Sequence, residues 1–172
     1  EDYKSDMFSA FIIRSMSFIN GPGYLGFMSP FVWMFISSYE KFRKALLTQS
    51  NLTSLIQPEY HAFFESAFVP ICAFTLCKSK SRREGVFIRL CDFYGESIQA
   101  IKALEAIADN QVSWRYKVSQ ESFFGIPGMP IAYWASREAL KCFVFPQIDS
   151  LAEFRAGLTT ADNEQFIRFW SE

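Results

Sequence analysis

The stretch Tyr24-Leu25-Gly26-Phe27-Met28 constrains the fold of this chain more than any other part of its sequence. It is short and wholly apolar, which indicates a central strand covered on both faces of a sheet. Gly21-Pro22-Gly23, directly before it, predicts the end of a helix. Because helical patterns stand on both sides of the apolar run, we expect an α/β fold with this strand inside its sheet.

Both flanking helices carry boundary signals. Ser5 is expected to cap the first helix, and Ser37 with Glu40 forms a capping-box pattern at the start of the second. The predicted buried face of the first helix consists of Met7, Phe8, Phe11, Ile12, Met16 and Ile19. In the second helix we expect the following side chains to point inward: Tyr39, Phe42, Ala45 and Leu46. Its cations Lys41, Arg43 and Lys44 are expected to point mostly outward.

Further strands and a third helix are predicted before residue 109. Residues 52–57 form one predicted strand, and residues 69–77 and 86–90 form two more, joined as a hairpin by a polar stretch. Ser97 is expected to cap a helix with these residues inward: Ile98, Ile101, Leu104, Ile107 and Ala108. This order predicts a parallel sheet that ends in an antiparallel edge.

The composition changes at Asp109-Asn110-Gln111, where we place a domain boundary. Residues 1–109 are expected to form one unit. Residues 110–172 are expected to form a linker and the start of a following, mostly helical region. Within that second part, Gly125-Ile126-Pro127-Gly128-Met129-Pro130 is a stiff, turn-rich segment, and a helix is predicted over residues 131–142.

The composition also excludes several classes of protein. The chain has 172 residues, 20 of them Phe, and a formal net charge of -1. Its length and aromatic content allow it to bury a hydrophobic core. Its near-neutral charge gives no overall electrostatic field that would attract nucleic acid. Four cysteines, Cys72, Cys77, Cys91 and Cys142, are expected to be reduced, buried, small hydrophobic residues. With His61 as the one histidine, no metal site is expected. No signal peptide and no membrane-spanning run is visible, so we expect a cytoplasmic bacterial protein.

Catalytic motifs are scarce in this sequence. A Rossmann cofactor site needs a glycine-rich turn between a strand and a helix, and we find none. His61 has no obvious nucleophile near it, which makes it a weak candidate for acid-base chemistry. The basic run Lys78-Ser79-Lys80-Ser81-Arg82-Arg83 is more informative. It is either a solvated turn that resists aggregation, or its cations Lys78, Lys80, Arg82 and Arg83 contact DNA phosphates.

Three motifs follow one another in the first part of the chain. The first is Asp2-Tyr3-Lys4-Ser5-Asp6-Met7-Phe8-Ser9-Ala10-Phe11, and the second is Gly23-Tyr24-Leu25-Gly26-Phe27-Met28-Ser29-Pro30. The third runs from Trp33 through Ser38-Tyr39-Glu40-Lys41-Phe42-Arg43 to Leu46. Their order resembles the region that follows the Asn-Pro-Pro-Tyr motif in N6-adenine DNA methyltransferases of the gamma type.

Two stretches in the second half extend this resemblance. They are Phe123-Phe124-Gly125-Ile126-Pro127-Gly128-Met129-Pro130-Ile131-Ala132-Tyr133-Trp134 and Gly157-Leu158-Thr159-Thr160-Ala161-Asp162-Asn163-Glu164-Gln165-Phe166-Ile167-Arg168-Phe169-Trp170. Both are similar to signatures of the large adenine-specific methyltransferases of BREX phage-defence systems. Ala161 departs from the family, which usually has Gly at that position, so a tight turn there is expected to be altered.

The resemblance implies the second half of a Rossmann-like, S-adenosylmethionine-dependent methyltransferase sheet. The family binds this methyl donor through a glycine-rich loop and holds the adenine with Asn-Pro-Pro-Tyr, and neither motif occurs here. One role carries over from the family: an aromatic residue before the hairpin packs against the flipped adenine. The alignment places Phe64 there, with Phe63 as the near alternative, unless these side chains belong to the core.

We therefore expect a fragment of a site-specific DNA adenine-N6 methyltransferase from a phage-defence or restriction-modification system, inactive alone. One alternative is a non-catalytic DNA- or protein-binding module with the same half-fold, and another is one chain of a split enzyme. The expected partners are double-stranded DNA and the missing N-terminal half or other defence-system proteins. Self-association through an exposed sheet edge is a further expectation, and no membrane contact is expected.

Overall fold

A computed structural model describes residues 6–60, 70–79, 83–146 and 148–153. Its helices are α1 Met7–Met16, α2 Glu40–Gln49, α3 Glu96–Ala108, α4 Glu121–Phe124 and α5 Arg137–Cys142. Its strands are β1 Gly23–Pro30, β2 Asn51–Gln57, β3 Ile71–Lys78, β4 Glu84–Arg89 and β5 Arg115–Ser119. Short 3-10 turns occupy Phe31–Met34, Ser37–Tyr39 and Ile148–Ser150.

The five described strands form one mixed sheet in the order β1-β3-β2-β4-β5. β3 is antiparallel to both β1 and β2, β2 is parallel to β4, and β4 is antiparallel to β5. The α/β class and the antiparallel edge are confirmed, but the predicted hairpin of residues 69–77 with residues 86–90 is wrong. β2 lies between these two strands, because its hydrogen-bonding edges are taken by β3 on one side and β4 on the other.

The prediction that β1 is a central strand covered on both faces is wrong for the part of the chain that the structure describes. Here β1 pairs with β3 alone and stands at one end of the sheet. Leu25 and Phe27 pack against the main core, while Tyr24 and Met28 are 69% and 64% exposed. The strand alternates because the main core covers one face of the sheet, whereas the opposite face of β1 stays open in this region.

The main core lies on the face of the sheet that α1 and α2 cover. Its fully buried members include Ile12, Trp33, Phe42, Leu46, Leu55, Phe74 and Phe87. A smaller cluster on the side of α3 contains Ile88, Leu90 and Ala106. Tyr133 joins the main core and β5 is hydrogen-bonded to β4, so residues on both sides of position 109 share this fold. The division into two units at that position stays a prediction.

Helix α1 buries a face different from the predicted one. Ile12 and Met16 are buried as expected, but Met7 and Phe11 are 90% and 66% exposed. Ser9 occupies the buried face instead, because it shares the spacing of Ile12 and Met16, and its hydroxyl donates to Asp6 O at 2.8 Å. The proposed cap Ser5 lies outside the described residues.

Helix α2 is confirmed as an element, yet two of its predicted details are wrong. Ser37 forms no capping bond and belongs to a 3-10 turn that precedes the helix. Tyr39, Phe42 and Leu46 are buried as expected, but Arg43, expected outside, is only 1% exposed. Its burial is possible because backbone carbonyls surround the guanidinium.

Helix α3 carries its apolar stripe outward, contrary to prediction. The exposed side chains are Ile98, Ile101, Leu104 and Ile107. The face toward the sheet is held by Gln99, whose Nε2 donates to Leu90 O at 3.1 Å and whose Oε1 accepts from the Glu59 amide at 3.3 Å. The polar Gln99 is buried because its amide satisfies backbone groups of two loops. The pattern of apolar residues in the sequence cannot reveal these hydrogen bonds.

Three smaller predictions also need correction. Gly95 rather than Ser97 stands at the start of α3. The predicted helix over residues 131–142 begins only at Arg137, where the Ser136 hydroxyl accepts from the Ala139 amide at 3.1 Å. All four cysteines are unpaired, and Cys72 is buried as expected. Cys142, expected to be buried, is exposed, because it belongs to α5, which has no buried residue. No described helix is long and apolar enough to cross a membrane.

Candidate functional site

The carboxyl ends of β1, β2 and β4 lie at one edge of the sheet, which we call the carboxyl edge. These three strands run in the same direction, because β1 and β2 are both antiparallel to β3 and β4 is parallel to β2. Their last residues are Pro30, Gln57 and Arg89. In open α/β sheets, ligands bind outside the carboxyl ends of the strands, so this edge is the first place to look for a site.

A continuous row of aromatic rings lines the carboxyl edge, and we call its five members the aromatic row. Adjacent ring centroids are 5.2 Å apart for Tyr60 and Phe31, 6.2 Å for Phe31 and Phe35, and 5.5 Å for Phe35 and Trp134. Trp134 then meets Tyr133 at 4.9 Å. Tyr60 is 51% and Trp134 41% exposed, so the row offers aromatic surface to a ligand at two points.

Tyr133 fastens the aromatic row to the sheet. Its ring stacks on Phe87 with centroids 5.0 Å apart and planes 15° apart. Its hydroxyl donates to Gln57 Oε1 at 2.7 Å in a buried contact. Burial raises the pKa of Tyr133 well above its usual value. The phenol is therefore a neutral hydrogen-bond donor with a structural task and not an acid or base for catalysis.

Arg43 anchors the turn-rich segment that carries Tyr133 and Trp134. Its Nε and Nη2 donate to Gly128 O at 2.9 and 2.6 Å. Its Nη1 donates to Trp33 O at 2.8 Å and to Ile36 O at 2.7 Å. Burial lowers the pKa of Arg43. The guanidinium thus joins α2, the 3-10 turn after β1 and the turn-rich segment through three backbone carbonyls.

The backbone of the turn-rich segment depends on glycine. Gly128 has a φ of 74° and Met129 a φ of 50°, both in the left-handed region. A Cβ on Gly128 would stand 3.7 Å from Arg43 Nη2. After this turn, the Ile131 amide donates to Met34 O at 2.9 Å. The segment is therefore held on both sides of its turn before it presents Tyr133 and Trp134.

Arg89 supplies positive charge next to the aromatic row. Its guanidinium carbon lies 5.8 Å from the ring centroid of Trp134. Its side chain also pairs with the exposed carboxylate of Asp92. Cys91 lies close by, with its Sγ 3.9 Å from Gln57 O, and burial raises the pKa of this thiol. Cys91 is thus poorly suited to act as a nucleophile, whereas Arg89 can meet an anion.

The predicted adenine-contacting residues Phe63 and Phe64, together with His61, lie outside the described residues. The two described ends of their loop, however, both meet Phe31. The Tyr60 ring contacts the Phe31 ring edge-on, and Pro70 O accepts from the Phe31 amide at 2.9 Å. Tyr60 and Pro70, the described residues on either side of positions 61–69, therefore both lie at the carboxyl edge, beside the aromatic row.

The described part of the predicted basic run lies at the opposite edge of the sheet, because β3 ends and β4 begins there. Lys80 and Arg82 are outside the described residues. The Lys78 ammonium donates to the carbonyl of Met16, the last residue of α1, at 3.2 Å and to Ile19 O, beyond the helix, at 2.9 Å. Arg83 is exposed and borders a small pocket. Lys78 thus stabilises the end of a helix, and the predicted contact of this run with DNA stays a prediction.

Sequence reasoning overlooked Tyr60, Trp134 and the anchor Arg43. A usable signal existed for Trp134, because Tyr133 and Trp134 follow a turn-rich segment and loops carry binding residues more often than regular elements do. No signal existed for Arg43, whose acceptors belong to backbone that is 7 to 85 residues away in sequence.

The described residues do not fit the methyl donor that the resemblance implies. Among them, Gly95 has a positive φ and lies between a strand and a helix. Its neighbours in sequence are Tyr94 and Glu96, so no second glycine is next to it. A lone glycine does not form the cradle of backbone amides that a glycine-rich turn provides. Within this region no three metal-ligating side chains come together either. No donor-binding or metal-binding role is assigned to these residues.

Comparisons with known proteins agree with the motifs. The family model of the Eco57I restriction-modification methylases matches residues 1–64. The adenine-specific methyltransferase PglX of Lacticaseibacillus casei (strain Zhang) is 29% identical over 174 residues, which cover 98% of this chain and 14% of that protein. The adenine-specific methyltransferase BrxX of Escherichia coli O9:H4 (strain HS) is 30% identical over 176 residues, which cover 99% of this chain and 14% of that protein.

The fold is found in a solved structure as well. The methyltransferase subunit of a type I restriction-modification system from Streptococcus thermophilus superposes with a TM-score of 0.60 and 18% identity. The match covers 76% of this chain and 30% of that subunit. The resemblance stated from the motifs is therefore confirmed over nearly the whole chain, which spans about a seventh of the length of its curated relatives.

Proposed function

We propose that this chain, which is related along nearly its whole length to the adenine-specific methyltransferases of BREX and restriction-modification systems, forms one wall of the DNA-binding cleft of such an enzyme. The activity proposed for the whole protein is methylation of adenine N6 in double-stranded DNA, with S-adenosylmethionine as the donor. The observation that carries the proposal is the aromatic row at the carboxyl edge, with Tyr60 and Trp134 open to solvent.

An aromatic wall suits this reaction because the target base has to leave the double helix. Flipping a nucleotide out of the duplex loses stacking and pairing worth a few kcal/mol. An aromatic side chain restores about 1–3 kcal/mol for each base that stacks on it. Phe64, or Phe63 as the near alternative, is proposed to contact the flipped adenine, since Tyr60 and Pro70, which flank residues 61–69 in sequence, both contact Phe31.

The remaining residues of the site hold this wall in place. The Tyr133 hydroxyl bonds to Gln57 Oε1, and the Arg43 guanidinium holds the segment before it. Such hydrogen bonds keep the aromatic surface in one geometry, which matters because methyl transfer requires the base and the donor to be aligned. The methyl-transfer step itself is assigned to parts of the protein outside residues 1–172, and we expect the isolated chain to be inactive.

The test compares Phe64→Ala and Phe63→Ala in the intact gene product that contains residues 1–172. Incorporation of radioactive methyl groups into adenine-containing DNA gives kcat/KM, and circular dichroism gives the melting temperature. We expect one of the two variants to lose about 10- to 100-fold in kcat/KM, which corresponds to one lost stacking contact. Phe18→Ala is the control, because Phe18 is 67% exposed and lies beside the end of α1, at the opposite edge.

Unchanged kcat/KM in both loop variants would contradict the role of the loop. A wild-type protein without methyltransferase activity would contradict the proposed function itself.

The exposed stripe of α3, with Ile101 and Leu104 56% and 66% exposed, favours a second candidate, a non-catalytic module that binds another protein or DNA. That module would bind its partner and leave the adenines of DNA unmethylated in the same assay.

A further inference from the structure

Trp134 combines exposure with an unusually firm support. About two fifths of its surface, 41%, is open to solvent, although the residues before it in sequence, Ile131 and Tyr133, are buried. It meets Phe35 and Tyr133 with ring planes 60° and 87° apart, so neither neighbour is stacked on it. An exposed indole beside a fixed backbone is a surface on which a flat ligand can stack.

The support comes from beneath the segment. Arg43 donates to Gly128 O through two nitrogens, and the Ile131 amide donates to Met34 O. Tyr133 adds its buried bond to Gln57. Together these contacts restrain the backbone on the N-terminal side of Trp134. Burying a guanidinium needs compensation by hydrogen bonds, and here the compensating carbonyls include one in the segment that presents Trp134.

The charge next to Trp134 suits a nucleotide. The Arg89 guanidinium lies 5.8 Å from the centre of the indole ring. Its partner Asp92 has a side chain that is 72% exposed, and an exposed ion pair is weak and easily exchanged for a phosphate. A stacked base beside Trp134 would therefore place its own phosphate or a neighbouring one within reach of a cation.

We propose that Trp134 stacks on an unpaired nucleobase next to the target adenine, and that Arg43 is a positioning residue that holds Trp134 in place through Gly128. This inference rests on the proposed function and extends it from the flipped adenine to a second nucleotide. The ligand class is an unstacked nucleotide of DNA, bound through its base by Trp134 and through a phosphate by Arg89.

The experiment measures DNA binding without any methyl donor. The probes are a fluorescein-labelled single strand of twenty thymidines and a mixed-sequence duplex of thirty base pairs, and anisotropy gives Kd for the intact gene product. We expect Trp134→Ala to weaken single-strand binding by about 10- to 100-fold and Trp134→Phe by less than about threefold, because Phe keeps an aromatic face. Phe18→Ala, at the opposite edge, is expected to bind like the wild type.

Salt dependence separates the two groups of the site. Trp134→Ala should leave the slope of log Kd against log salt unchanged, since no phosphate contact is lost. Arg89→Gln should lower that slope by about one phosphate contact. If Trp134→Ala does not fold, Trp134→Leu keeps an apolar contact with Phe35 and should show the same loss of affinity. A folded Trp134→Ala or Trp134→Leu variant that binds the single strand at the wild-type Kd would overturn the proposal.

Arg43 is tested through Arg43→Lys, alone and combined with Trp134→Ala. If Arg43 acts through Trp134, the two losses of affinity are not additive, and Arg43→Lys has no further effect once the indole is gone. A merely structural role would give additive losses and would overturn the positioning role. If Arg43→Lys does not fold, Gly128→Ala takes its place, because its φ of 74° strains any residue with a Cβ.

These outcomes are independent of methyltransferase activity. A wild-type protein that binds the single strand but transfers no methyl group would contradict the proposed function and leave only the stacking of a base on Trp134 standing. A wild-type protein that methylates DNA, together with a Trp134→Ala variant of unchanged Kd, would overturn the role of Trp134 and leave the proposed function standing.

Discussion

Replacing Arg43 by Met removes the guanidinium and keeps most of the aliphatic side chain. The substitution therefore separates the hydrogen bonds of Arg43 from its packing. In the folded chain, three backbone carbonyls lose their charged donor: Trp33 O, Ile36 O and Gly128 O. Arg43 is 1% exposed, so the carbonyl of Trp33, whose bond to it is fully buried, has no access to water as a substitute.

The expected loss of stability follows from these three acceptors. Leaving a buried polar group unsatisfied costs about 1–3 kcal/mol. The Ile36 carbonyl still accepts from the Tyr39 amide at 3.1 Å, and the bond to the Gly128 carbonyl is only partly buried, so water replaces some of its loss. The variant also avoids burying a charge, which offsets a further part. We expect the free energy of unfolding to fall by about 3 kcal/mol, a large share of the roughly 5–15 kcal/mol of an ordinary domain.

Urea unfolding followed by far-UV circular dichroism measures this loss. Lys44→Met is the matched control, because Lys44 is the next residue on the same helix and is exposed. The control should stay within about 0.5 kcal/mol of the wild type. Hydrogen exchange gives a local readout: the Ile131 amide, which donates to Met34 O, should exchange faster in Arg43→Met than in the control.

A loss below about 1 kcal/mol in Arg43→Met, or one no larger than in Lys44→Met, would refute the anchoring role of Arg43. Faster exchange throughout the sheet without a larger effect at Ile131 would also refute it, because the segment would then not be the part that Arg43 holds.

Three further variants test other parts of the fold by the same urea method. A Cβ on Gly85 would lie 2.4 Å from Leu52 O, so Gly85→Ala should destabilise the chain by about 1–3 kcal/mol. Gly26→Ala is the control, because a Cβ on Gly26 would have no atom within 4 Å and should cause no steric overlap. Tyr133→Phe leaves the buried oxygen that accepts its hydroxyl unpaired and should cost about 1–2 kcal/mol. Lys78→Met removes two donations, one to the last residue of α1 and one to Ile19 O beyond it, and should cost about 1 kcal/mol.

Local sequence patterns were sufficient for much of the architecture. The existence of α1, α2 and α3 and of strands near residues 52–57, 69–77 and 86–90 is confirmed, because apolar spacing and turn residues act over a few positions. The ordered motifs also identified a resemblance to adenine-specific methyltransferases, and the comparisons find that similarity over nearly the whole chain. These conclusions required no knowledge of which elements touch one another.

Patterns failed where the partner of an element was distant. Residues 69–77 and 86–90 have the spacing of a hairpin, yet β2 lies between the two strands, since strand pairing depends on contacts that local sequence does not encode. In α3 the spacing of Ile98, Ile101, Leu104 and Ile107 predicts a buried stripe. The structure buries Gln99 instead, because its amide satisfies backbone groups near Leu90 and Glu59.

The candidate site shows the same division. Sequence alone was enough to propose a role for the aromatic residues Phe63 and Phe64 and to find the resemblance to adenine-specific methyltransferases, because both depend on residue type and order. The carboxyl edge, the aromatic row and the support of Trp134 by Arg43 arise only in three dimensions. Arg43 has the sequence pattern of a solvent-facing cation. It is buried because folding brings carbonyls from Trp33, Ile36 and Gly128 around its guanidinium and so compensates for the water that it loses.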